Sequence, residues 1–292
     1  MAIKLDYRTV FISDLHLGSR GARAKDLAAF LKRVRCEKLY LVGDVIDMWR
    51  LRQRWFWPRQ HNKVVRRILR MANKGTEVYY IPGNHDEGAR QYVGLTFGDV
   101  KLKRQIVHQT ADGKRLLVTH GDQFDMVVQH ARLISMLGSW AYDLLVTFNR
   151  FYNRIRARFG LPFHSLSQSV KLRVKRACQF ISDFEQTLMH EAGRRGLDGV
   201  ICGHIHKAEC RPDEALHYYN CGDWVESCTA LVEHDDGKIQ IIDGIALVEQ
   251  LREQERALKA ATSRKAARPQ AGATTDRVEA PAPRRQTESV GR

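Results

Sequence analysis

Five short polar segments punctuate the chain: Asp14-Leu15-His16, Gly43-Asp44-Val45-Ile46-Asp47, Gly83-Asn84-His85-Asp86, His120-Gly121-Asp122 and Gly203-His204-Ile205-His206. Their side chains are carboxylate, imidazole and amide, a nitrogen and oxygen donor set that suits Mn²⁺, Fe, Zn²⁺ or Co²⁺ and leaves out thiolate. Asp14, His16, Asp44, Asn84, His120, His204 and His206 together offer enough donors for two divalent ions. A bridging carboxylate can hold such a pair about 3.5–4 Å apart, where the ions activate a water and neutralise phosphoryl oxygens. The chemistry this suggests is in-line attack on a phosphate ester or diphosphate, with nearby cations absorbing the developing charge.

The elements that must position these residues are legible as apolar runs. TVFISD, KLYLVGD (Lys38 to Asp44) and EVYYIPG (Glu77 to Gly83) are rich in β-formers, are separated by stretches of helical spacing, and each ends at one of the polar segments. This is a β-α-β-α-β pattern, an α/β fold. Strands so uniformly apolar are covered on both faces, and the loops at their carboxyl ends form the natural crevice for a site. RLLVTHG and GVICGHIH are two further strands that deliver His120, His204 and His206. Between them, residues 122–195 read as a helical insertion broken near Gly160 and Pro162, and its ends must both approach the metal site, as a cap would. Near the C-terminus, Asp235-Asp236-Gly237 predicts a tight hairpin turn, and an apparent strand follows that ends near Val248.

The ordered series DxH, GDxxD, GNHD, a strand-terminal His and GHxH resembles the signature of the calcineurin-like metallophosphoesterase superfamily, running from Asp14 to His206. The resemblance implies a four-layer α/β/β/α sandwich, here with the helical insertion as a cap, over residues 1–250. It also implies a ligand division: Asp14, His16, Asp44 and His206 on one ion, and Asp44, Asn84, His120 and His204 on the other, with Asp44 as the bridge. His85 would stand beside a phosphate oxygen as a catalytic donor, oriented by Asp86. Through FISDLHLGS, LYLVGDVIDMW, YYIPGNHDE, THGDQFD, CGHIHKAE and YYNCGDWVES the chain is most similar to the UDP-2,3-diacylglucosamine pyrophosphatase group, although that group carries GNRD where this chain has Gly83-Asn84-His85-Asp86. The group implies a Mn²⁺-dependent hydrolase of lipid A biosynthesis that splits a lipid-linked nucleotide sugar into UMP and a lipid monophosphate, cytoplasmic and peripheral on the inner membrane.

Composition sets the outer bounds. The chain has 292 residues, 43% of them hydrophobic, enough for a full-sized core, which excludes a peptide scaffold or a wholly disordered chain. Six cysteines without a CxxC pair fit a reducing compartment, and the first residues lack the apolar core of a secretory signal. The net charge of +15 calls for an anionic partner. Placing the charges refines this. Ten Lys/Arg against five Asp/Glu fall in residues 252–292, whose small polar composition reads as a basic disordered tail. Nine cations with no acid lie between Met48 and Lys74, and eight with no acid between Arg150 and Arg176. Both runs are interleaved with aromatic residues, so they suit substrate phosphates, with Arg50, Arg54, Arg150, Arg154 and Arg158 as candidate contacts, or an anionic membrane surface. Two other readings stand beside the pyrophosphatase: a general phosphomonoesterase or cyclic-nucleotide phosphodiesterase, and a non-catalytic module binding nucleic acid or membrane.

Overall fold

The computed structural model of the protein describes residues 3–124, 184–212 and 216–266, together with residues 158, 181 and 182. Two sheets carry the fold. The larger is built from β1 (Leu5–Ile12), β2 (Val34–Val42), β3 (Glu77–Ile81), β4 (Thr96–Phe97), β5 (Val100–Leu102), β11 (Thr229–Glu233) and β12 (Ile239–Asp243), in the order β12-β11-β1-β2-β3-β5-β4. The smaller holds β6 (Ile106–Gln109), β7 (Arg115–Val118), β8 (Gly199–Cys202), β9 (Glu209–Arg211) and β10 (His217–Asn220), in the order β6-β7-β8-β10-β9. β1, β2 and β3 pair in parallel, as do β7 and β8.

The alternation of side chains along these strands makes the layers. Val10 and Ile12 of β1 and Leu39 and Leu41 of β2 join a cluster with Leu27, Phe30 and Leu31 of α1 (Ala24–Arg33) and Val64 and Ile68 of α3 (Arg59–Ala72). Phe11, Tyr40 and Val42 point the opposite way and meet Leu116, Val118, Ile201 and Tyr219 between the sheets. Leu117, Val200 and Cys202 then face Leu188 and Ala192 of a helical stretch over 184–194. The order is helix, sheet, sheet, helix, the four-layer sandwich expected from the motifs. A short helix, α2 (Met48–Gln53), separates β2 from α3 and is capped by the Asp47 carboxylate, which accepts from the Arg50 amide at 3.0 Å.

The hairpin at Asp235-Asp236-Gly237 forms as read: β11 and β12 pair antiparallel with Glu233 opposite Ile239, and Gly237 takes a φ of 83° that suits glycine. The segment after it differs from its reading. Gly244–Ala266 is a helix, not a strand ending near Val248, because the Asp243 carboxylate accepts from the amides of Ile245 and Ala246 at 2.8 and 2.9 Å and starts a helix there. That helix continues into the segment read as a disordered tail, whose Arg, Glu, Lys and Ala residues are good helix formers up to Ala266. The chain divides into two compact units at Leu251 and Arg252, and both sheets belong to the first.

Candidate metal centre

Each expected ligand stands just past the carboxyl end of a parallel strand. Asp14 and His16 follow β1, Asp44 follows β2, Asn84 and His85 follow β3, His120 follows β7, and His204 and His206 follow β8. The site therefore straddles both sheets, and a network of loop hydrogen bonds closes it. The Asp14 amide donates to Gly43 at 3.1 Å, the His16 amide to Asp44 at 2.9 Å, and the Gly203 amide to His120 at 3.3 Å. The Asp14 carboxylate accepts from the His204 amide at 2.9 Å, tying the first strand of one sheet to the middle of the other.

The side chains converge. Asp14 Oδ1 lies 3.0 Å from His206 Nε2 and 3.7 Å from His16 Nε2. Asp44 lies 3.7 Å from His16 Nε2 through one oxygen and 3.5 Å from His120 Nε2 through the other. Asn84 Oδ1 is 3.3 Å from His120 Nε2, and the His120 and His204 rings meet edge to face with centroids 5.0 Å apart. Asp44, with no exposure at all, thus sits at the centre between a His16 side and a His120 side.

Tautomer and charge follow from the partners. Nδ1 of His120 donates to the Val42 carbonyl at 2.9 Å, so Nε2 is the nitrogen that faces Asp44 and Asn84, as a ligating imidazole requires. Burial disfavours a charged His16, but hydrogen bonds to Asp14 and Asp47 and the Asp44 charge outweigh it and push the ring up to about 9. His120 is likewise raised to about 10, against burial, by the charge and hydrogen bond of Asp44. Burial opposes ionisation of Asp14 as well, and the His206 charge with hydrogen bonds from His16 and His206 holds its carboxyl well below the usual range. A buried cluster that binds protons this tightly is one that favours positive charge, of which divalent cations are another source.

Backbone strain marks the same place. Among the described residues, seven other than glycine have positive φ, and five of them are Asp14, His16, Asp44, His204 and His206. Left-handed conformations at non-glycine residues persist where the surrounding structure over-determines them, and they cluster at ligand clamps. A methyl group on Gly83 would overlap the Asp44 carboxylate and the His120 ring, and one on Gly43 would overlap His120. The donor set, the strained loops and these two bare glycines fit a pair of divalent cations.

One expected partnership changes. His85 is not oriented by Asp86. The Asp86 carboxylate is turned beneath the loop, where it accepts from the amides of Gly83 at 2.6 Å and Val45 at 2.7 Å and from the Tyr80 hydroxyl at 2.5 Å, while burial and the nearby Asp44 charge push it up. Asp47 takes the orienting role. Its two oxygens lie 3.0 Å from Nδ1 of His85 and 3.4 Å from Nδ1 of His16, and these hydrogen bonds, with the Arg50 amide, overcome burial and hold its carboxyl far below the usual range. A residue that the motifs left without a role also stands here: the Trp49 indole lies against the His85 ring, tilted by 33° with centroids 4.1 Å apart. Asn220 is another. Fully buried, its amide donates to the Gly203 carbonyl at 2.9 Å and accepts from Gly222, holding the loop that carries His204.

Of the candidate substrate contacts, Arg50 lies on α2 and Arg54 caps its end, both exposed. Arg158 is exposed, whereas Arg150, Arg154 and most of the proposed cap lie outside the described residues.

Residues 7–208, which contain all seven expected ligands, match the calcineurin-like phosphoesterase family. The chain belongs to that family. It is a metal-dependent phosphoesterase, of a kind that works with a dinuclear divalent metal centre. Among curated relatives, the phosphoesterase is 30% identical over 120 residues to a UDP-2,3-diacylglucosamine hydrolase of Porphyromonas gingivalis, covering 39% of this chain and 45% of that protein. It is 25% identical over 238 residues to the protein of the same name from Histophilus somni, covering 77% of this chain and 95% of the relative. Among solved structures it resembles the hypothetical protein PH1004 of Pyrococcus horikoshii, with 11% identity, a TM-score of 0.44 and coverage of 86% and 94% of the two chains.

Proposed function

We propose that the phosphoesterase hydrolyses the diphosphate of an amphipathic nucleotide sugar, UDP-2,3-diacylglucosamine or a close analogue, to UMP and a lipid monophosphate, with Mn²⁺ as its resident ion. The observation that carries this reading is the direct rise of α2 from the metal centre. Asp47 both orients His16 and His85 and caps the helix, so Trp49 and Arg50 follow within one helical turn of a residue bound to the centre. An aromatic face and a cation so near the centre along the chain support a substrate with a nucleoside and a diphosphate. The similarity to the Histophilus somni hydrolase over 95% of its length supports the same substrate class. Among the described residues no helix is long and apolar enough to cross a membrane.

Asp14, His16, Asp44 and His206 would hold one ion and Asp44, Asn84, His120 and His204 the other. When bound, the pair supplies a hydroxide nucleophile at neutral pH and neutralises the phosphoryl oxygens. The ionised Asp47 carboxylate can only accept, so His85 presents Nδ1–H to it and keeps Nε2 for the substrate. In its protonated form that Nε2 donates to a phosphoryl or leaving oxygen, and Trp49 keeps the ring from turning away. Water adds to one phosphorus of the diphosphate, the bridging oxygen leaves with the other, and each product carries a phosphomonoester.

The test is UMP release from UDP-2,3-diacylglucosamine with Mn²⁺ present, set against the Asp44→Ala variant. Release that depends on Asp44 is expected. Turnover of simple phosphate esters without any UMP release would replace the substrate reading with that of a general phosphoesterase.

A further inference from the structure

The acid-free run after Met48 is two structures. Its first part is α2, beside the metal centre, and the rest is α3, which packs on α1. Between α1 and α3 runs a groove of about 480 Å³ lined by Lys25, Lys63, Arg66, Arg67 and Arg70, with Ala28, Ala29 and Gln60 completing it. It shares no lining residue with the metal centre. Lys63, Arg66, Arg67 and Arg70 follow i, i+3, i+4, i+7 spacing, which places them on one face of α3, and on α1 Lys25, Ala28 and Ala29 follow the same spacing. The two alanine side chains are short and let the long cationic ones converge over them.

None of these five cations has an ion-pair or hydrogen-bond partner among the described residues. Several cations elsewhere are paired: Arg23 of the α1 N-cap meets Asp26 at 2.9 Å, Arg35 meets Asp6 at 2.6 Å, and Lys101 meets Glu77 at 3.1 Å. In the groove, burial and the charge of Arg70 both weaken the hold of the half-buried Arg67 on its proton. Like charges at i, i+4, as in Lys63 with Arg67 and Arg66 with Arg70, oppose helix formation. The cations also extend along about 10 Å of helix, more than one phosphate can span.

We infer that the groove between α1 and α3 is a second anion site, outside the metal centre, which takes a ligand bearing two or more phosphoryl groups. The uncompensated cations supply the attraction, and the planar guanidinium groups of Arg66, Arg67 and Arg70 offer the paired donors that phosphate oxygens accept. Soluble polyphosphate compounds and clustered phospholipid headgroups share that chemistry.

Calorimetric titration of the full chain at low ionic strength, with inorganic tripolyphosphate, orthophosphate and phosphatidylglycerol vesicles as separate probes, tests this. Arg66→Gln/Arg70→Gln is expected to weaken tripolyphosphate or vesicle binding by about tenfold or more, while Lys4→Gln/Lys103→Gln, which removes the same charge elsewhere, changes it by less than about twofold. Hydrolysis of bis(4-nitrophenyl) phosphate with Mn²⁺ should be the same in all three proteins. A loss confined to tripolyphosphate assigns the site to a soluble ligand, and one confined to vesicles assigns it to headgroups. The inference is overturned by equal binding to wild type and Arg66→Gln/Arg70→Gln, by an equal loss in the Lys4/Lys103 control, by orthophosphate binding as tightly as tripolyphosphate, or by failure of both multivalent probes to bind.

Discussion

Among the described residues two buried clusters join histidine to carboxylate, and they are built on opposite terms. Between the sheets, His108 donates from Nε2 to Glu233 at 2.8 Å and meets the Tyr40 hydroxyl at 3.2 Å, while the other Glu233 oxygen takes the Ala111 amide at 2.8 Å and Arg8 at 2.5 Å. His108, Tyr40 and Glu233 each have a partner within the chain, and none of the three has a left-handed backbone. At the metal centre, Asp14, Asp44 and Asp47 are crowded against His16, His85, His120 and His206, five of the loop residues are held in left-handed conformations, and the His16 and His120 rings are driven to bind protons. Residue type alone does not distinguish the clusters. What separates them is closure: a polar cluster that satisfies itself holds layers together, and one that concentrates negative charge on strained loops is made for a cation.

Substitutions on the two sides should part accordingly. The largest effect belongs to Asp44→Asn, which removes the central carboxylate: hydrolysis of a soluble phosphodiester is expected to fall by about 10³-fold, with the far-ultraviolet circular dichroism unchanged. Next, Asp47→Asn should lower the same rate by about 10²-fold through loss of His85 orientation, whereas Asp86→Asn should instead lower stability by about 1–3 kcal/mol in urea titrations by disturbing the loop it staples. Rate loss in Asp86→Asn without loss of stability would restore it as the partner of His85.

Metal addition draws the same line. At about 100 times the dissociation constant, Mn²⁺ should stabilise the wild-type protein against urea by about 3 kcal/mol. Glu233→Gln should retain that increment and Asp44→Asn should lose it. A further effect lies in the acid limb of stability. Burial disfavours the Glu233 charge, but His108 and the other donors outweigh it and bring its carboxyl down to about 2 from an ordinary value of 4.5. A depressed carboxyl stabilises the fold fully above its unfolded value and loses that contribution as pH falls through its folded value. Wild-type stability should therefore drop on the order of 2–3 kcal/mol between about pH 4.5 and 2, and Glu233→Gln should flatten that decline.

The sequence shows the metal centre well because its residues recur at one structural place, the end of an apolar strand, so the five segments can be collected before any strand is paired. It does not show which carboxylate serves His85. Asp47 and Asp86 are equally plausible by type and spacing, and only the path of the loop after β3 decides, since it turns Asp86 onto the amides of Gly83 and Val45. Ile245 to Val248 are as apolar as a strand, and two hydrogen bonds to Asp243 make them a helix. The cationic run likewise reads as one surface by charge count. The break before Arg59, where Pro58 precedes α3, divides it between the metal centre and a separate groove.

β1 is hemmed by β2 on one side and by β11 on the other, with Thr9 facing Glu233 across the antiparallel pair. The strand that leads to Asp14 thus finishes its pairing only with residues more than two hundred positions later, and His206 must arrive before the Asp14 carboxylate has the nearer of its two imidazole neighbours. Such long-range closure is slow. During synthesis the first half of the chain would leave the ribosome with an open sheet edge and half of a metal site, so tight metal capture should be an event of the finished protein and a reporter that β11 has docked.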